Sequence, residues 1–101
     1  MAFDMFYDGN QECIGHHEEF LFSLAEAHHS RYPQLLKVWS SFYDDPCLSP
    51  HQAGVLVHEL IDLLTSNGGL ENKPLAAIVV RLLPFFSMAK KNEQEIRCSS
   101  D

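Results

Sequence analysis

A chain of 101 residues has room for one small domain, residues 1–101, and a hydrophobic fraction of 46% supplies one core and argues against disorder. Seven Lys and Arg against 14 Asp and Glu leave a formal net charge of −7. That balance excludes a typical nucleic-acid binder, which displaces counterions with clustered cations, and it disfavours an anionic membrane surface.

The opening residues Met1 to Met5 carry no basic leader or small-residue cleavage site, so no signal peptide is expected. The most apolar stretch, Pro74 to Ala89, contains Arg81 and Pro84 and falls short of the roughly 20 residues of a spanning helix. Cys13, Cys47 and Cys98 are odd in number and form no C-x-x-C pair, which fits reduced thiols in a cytoplasmic protein.

From Ala2 to Tyr7, Phe3, Met5 and Tyr7 alternate with Ala2, Asp4 and Phe6, the period of a strand. Asp8-Gly9 then signals a tight hairpin, because both residues tolerate positive φ, and Gln11 to Ile14 is the return strand. The first helix follows with Gly15 as its N-cap and Glu18 and Glu19 in its first turn, where the dipole favours carboxylates. Phe20, Leu21, Leu24 and Ala25 form its apolar face, with Phe22 and Ala27 to the sides. His28 and His29 close its last turn.

The second helix starts at Pro33, which suits the first helical position, and stops at Asp44-Asp45-Pro46. Leu35, Leu36, Trp39, Phe42 and Tyr43 make its apolar face. The third has a capping box, with Ser49 as cap, Pro50 in the first position and Gln52 reaching back. Its stripe is Ala53, Leu56, Val57, Leu60, Ile61 and Leu64, and Ser66-Asn67-Gly68-Gly69 ends it. The fourth, Pro74 to Lys91, has almost no polar face and reads as the buried central helix, kinked or split at Pro84. The tail alternates Ile96 and Cys98 against Glu95 and Arg97 as a last strand. The sum is an α+β fold: four helices packed against a small sheet formed by an N-terminal hairpin and a C-terminal strand. The order of strands stays open, and a plain helical bundle is the alternative if the two ends are not strands.

The histidines invite a metal reading, which spacing disfavours. On one continuous helix His17 and His28 would sit about 16 Å apart along the axis, and adjacent histidines diverge by about 100°. Cys13-Ile14-Gly15-His16 offers a C-x-x-H pair that Cys98 approaches if the terminal strands pair, yet no second spaced pair completes a zinc site. On the third helix, His58, Glu59 and Asp62 fall opposite the apolar stripe, where His58 and Asp62 read as a surface ion pair at i, i+4. No metal, cofactor or catalytic residue is assigned. A G-x-S-x-G elbow and a phosphate loop are both missing, so the chain does not read as an enzyme.

One loop is nominated for recognition. Tyr43 offers a rigid aromatic surface, and Asp44 and Asp45 offer carboxylates to a basic partner. The competing reading puts Tyr43 in the core and leaves the two aspartates as turn residues.

The segments "FDMFYD", "YPQLLKVWSSFYDD", "LSPHQAGVLVHELIDLL" and "EIRCSSD" together give a layout that resembles small uncharacterised bacterial proteins of about this length, among them immunity partners of polymorphic toxins. The resemblance implies a protein-binding role and carries no site residue. The expected function is therefore a small acidic binding module, an immunity or inhibitor protein that neutralises a basic partner. The alternative is a self-associating structural or regulatory domain, a homodimer that uses exposed Phe6, Phe22 and Val55.

Overall fold

The computed structural model describes residues 2–100. At the hairpin, Asp8 and Gly9 take φ of 45° and 79°. They fold β1 (Ala2–Tyr7) antiparallel onto β2 (Asn10–Gly15), with Tyr7 opposite Asn10. A short β3 (Cys47–Leu48) and the last strand β4 (Ile96–Ser100) complete one antiparallel sheet in the order β2-β1-β4-β3. The α+β architecture expected from the two chain ends is thus present, and β4 lies inside the sheet. β3 has no sequence signal because two residues cannot show alternation. It forms because β4 offers a free edge, where the Cys98 N–H also donates to the Pro46 carbonyl at 3.0 Å.

One sheet face carries Phe3, Met5, Tyr7, Ile14, Ile96 and Cys98, all buried under the helices. The other carries Asp4, Phe6, Cys13, Arg97 and Ser99. Register places Cys13 beside Asp4 and Cys98 beside Met5. Neighbouring residues of one strand point to opposite faces, so the two thiols are separated by the sheet and cannot share an ion.

The first helix is shorter than its pattern suggests. A 3-10 turn (His16–Glu18) leads into α1 (Phe20–Glu26), and a second turn (His29–Arg31) follows. His16, His17, His28 and His29 lie outside α1 and are exposed. Phe22 is fully buried, not lateral or exposed: it stacks on Trp39 at 4.8 Å and meets Phe42 edge-on at 5.9 Å. That contact removes it from any surface interface, and Phe6 remains the exposed aromatic of the three proposed positions.

α2 (Pro33–Ser40) ends sooner than expected, and Val38 is buried with Leu35. Phe42 reaches the core from the turn beyond the helix, stacked on Phe3 at 4.6 Å, while Tyr43 points out. α3 (Pro50–Ser66) has the expected capping box, with the Gln52 N–H donating to Ser49 Oγ and the Ser49 N–H donating to Gln52 Oε1. Its buried side includes Leu63, and Ile61 is exposed. α4 (Lys73–Lys91) runs through Pro84 as one helix. Pro84 and Val80 both face solvent, where water can satisfy the carbonyl that the proline leaves without a donor. Ala77 and Met88 are exposed on the same side, so α4 is not enclosed all round.

The largest departure is Glu59. It lies on the packed side of α3, 6% exposed, and accepts from the first-turn N–H groups of α2: Gln34 to Oε2 at 3.1 Å and Leu35 to Oε1 at 2.9 Å. α2 begins after Tyr32, which offers no side-chain cap, so a carboxylate from another helix satisfies donors that would otherwise be orphaned. Asp62, expected to pair with His58, instead receives Arg31 Nη2 at 2.6 and 2.7 Å.

Two stability tests follow from these contacts. Glu59→Ala leaves the α2 donors unpaired and is expected to cost about 2 kcal/mol in urea unfolding, with faster amide exchange at Gln34 and Leu35. Removing residues 96–101 takes buried Ile96 and Cys98 from the sheet and unpairs both β1 and β3. It is expected to abolish cooperative melting by circular dichroism; a retained sharp transition would show that the helices fold without β4.

Candidate functional site

Tyr43, Asp44 and Asp45 sit in the loop between α2 and β3, and both of its ends are fixed. On one side Phe42 is locked in the aromatic cluster of Phe3, Phe22 and Trp39, and Tyr43 packs edge-on against it at 5.3 Å. On the other, Pro46 to Leu48 hydrogen-bond to β4. Between these anchors the Asp44 N–H donates to the Ser41 carbonyl at 2.9 Å, and Asp45 takes φ of 46° to turn the chain. Aspartate tolerates that left-handed conformation better than most residues, so Asp45 does serve the turn. Tyr43 is nonetheless 61% exposed, and both aspartates are exposed. The three nominated residues are therefore all exposed on a loop held at both ends, with Tyr43 outside the core.

Candidates for chemistry elsewhere turn out to be fixed in structural contacts. Arg81 of α4 extends its guanidinium to the sheet end: Nε to Glu12 Oε1 at 2.8 Å, Nη1 to Glu18 Oε2 at 2.8 Å, and Nη2 to the Cys13 carbonyl at 2.6 Å and Glu18 Oε1 at 2.9 Å. Glu18 Oε1 also accepts the Gly15 N–H at 2.9 Å. The hydrogen bond from Arg81 holds the Glu18 carboxyl below the usual carboxylate range against the opposing effect of burial, and the same bond raises the guanidinium's own pKa. A carboxylate so held is a poor proton shuttle. Burial raises the Cys13 thiol and pushes Cys98 up to about 12, so neither is poised as a thiolate nucleophile. Among the described residues no group of three or more His, Cys, Asp and Glu is placed to hold a metal ion. No helix among them is long and apolar enough to cross a membrane.

The Arg81 cluster was invisible to periodicity because its members are 63 and 69 positions apart in the chain. The one available signal was a lone arginine in the most apolar helix, which needs an acceptor once that helix packs.

Glu18 sets a pH dependence of known sign. Its folded pKa lies below its unfolded value, so the stabilisation is present above the ordinary carboxylate range and is lost as pH falls through the depressed pKa. Glu59 acts oppositely: burial raises its pKa despite the two backbone donors, so part of its stabilisation is lost as pH rises through that raised value. Urea midpoints of wild type and Glu18→Gln from pH 7 to pH 3 are expected to converge as the pH falls. Arg81→Ala, which strands a mostly buried carboxylate, is expected to cost about 2–3 kcal/mol at pH 7.

No family model matches the chain, and neither a curated protein nor a solved structure matches it.

Proposed function

We propose that this chain is a small protein-binding module whose partner is a basic protein, in the manner of an inhibitor or immunity protein, with Tyr43, Asp44 and Asp45 as the contact residues. The observation that carries the reading is the exposed Tyr-Asp-Asp loop, held at both ends by Phe42 and by the β3–β4 pairing, on a chain of net charge −7. A loop ordered before binding loses little entropy on association. Its tyrosine supplies contact area, and its carboxylates attract lysine and arginine and accelerate encounter. Such a module works by covering a partner's surface and needs no chemistry of its own.

The second reading, a self-associating domain, is favoured by the line Ala77, Val80, Pro84 and Met88 on the solvent side of α4. A strictly monomeric sedimentation profile at high micromolar concentration removes it.

The test is capture from the native host's lysate by tagged protein and by a double variant, Asp44→Asn with Asp45→Asn, at low and moderate salt. The expected result is one basic protein at near-equal stoichiometry, weakened by salt. Its association rate should fall about tenfold with the double variant at low salt, and melting should be unchanged. Equal rates for wild type and variant would remove this loop from the interface.

A further inference from the structure

A shallow hollow of about 380 Å³ lies where the first half of α3 meets the end of α4. Gly54 and Val55 line it on the α3 side, and His51, His58, Ser87 and Lys90 supply its polar groups. No carboxylate lines it, although the chain carries twice as many acidic as basic residues. Every polar side chain there can donate a hydrogen bond: an ammonium, two imidazoles and a hydroxyl.

Gly54 explains why this hollow has a cation in it. A glycine inside a helix costs about 1 kcal/mol relative to alanine. A Cβ at this position would meet the Cγ, Cδ and Cε atoms of Lys90 at 3.3–3.4 Å. The absent methyl group lets the lysine stem lie against the α3 backbone, so Lys90 lines the hollow. The carboxylate nearest to that ammonium in the structure, Glu93 Oε1, is 3.7 Å away, and both side chains are largely exposed. A pair of that kind is worth little and yields readily to a better-placed anion. The adjoining hollow, which shares Val55 and His58, is different: its arginine, Arg31, is already bound by Asp62.

We infer that the α3–α4 hollow binds a small organic acid, its apolar body against Gly54 and Val55 and its carboxylate on Lys90 with Ser87 and the two histidines as further donors. This site is separate from the Tyr43 loop and does not depend on the binding role proposed for it. A hollow of this volume, with apolar contacts from Gly54 and Val55 and several hydrogen-bond donors in its lining, is large enough for a small ligand.

The probe is 1-naphthoate, followed by amide chemical shifts of the full chain, with 1-naphthamide and acetate as controls. Saturable shifts centred on Gly54, Val55, Ser87 and Lys90 are expected for naphthoate. Binding of naphthamide to wild type, and of naphthoate to Lys90→Met, should each be at least about fivefold weaker, the loss of one partly exposed charge-assisted hydrogen bond. Acetate should cause smaller shifts at the same residues, since it lacks the apolar body. The amide control needs no variant, so it decides the point even if Lys90→Met is destabilised. Equal affinity for acid and amide, shifts scattered over the surface, or no saturation would overturn the assignment.

Discussion

A single guanidinium joins the parts of this molecule that chain order keeps apart. Arg81 stands midway along the longest helix and reaches Glu12 on the edge strand, the Cys13 carbonyl beside it, and Glu18 in the turn that follows. The planar fork suits this task, because it meets two carboxylates and a carbonyl in fixed directions, which a lysine cannot do. Glu18 in turn binds the Gly15 N–H, so the exit from β2 into α1 is set by the position of α4. The angle between sheet and helices is thereby fixed by hydrogen bonds as well as by packing.

A second carboxylate repeats the logic on the other side. Glu59 of α3 holds the first turn of α2, and α2 with the turn after it delivers Trp39 and Phe42 to the aromatic cluster over Phe3. The Tyr43 loop begins one residue later. Its placement therefore rests on a buried charge on a different helix, on ring stacking, and on a two-residue strand.

Much of this was legible in the sequence where signals are local. The Asp8-Gly9 hairpin, the Ser49 capping box and the alternation of the terminal strands depend on near neighbours, and all three form. What escaped depends on distant partners. Phe22 reads as lateral on a helical wheel but is enclosed by Trp39 and Phe42. Glu59 reads as solvent-facing because carboxylates normally are, and only the uncapped start of α2 draws it inward. Phe42 and Tyr43 both lie beyond the early end of α2, one turned to the core and the other to solvent. For the Tyr43 loop, composition and turn chemistry located the segment; which of its aromatics is buried depended on packing against Phe3, Phe22 and Trp39.

The strand order also has a consequence for how the chain acquires its shape. β4 lies between β1 and β3, yet it is made after every helix. During synthesis the N-terminal hairpin must therefore wait, with one side of β1 lacking hydrogen-bond partners, until residues 96–100 emerge from the ribosome. An open strand edge beside uncovered apolar side chains is the usual route to mispairing between nascent chains. The sheet closes only once residues 96–100 are available, and a ribosome stalled before residue 96 carries a hairpin whose second β1 edge stays unpaired.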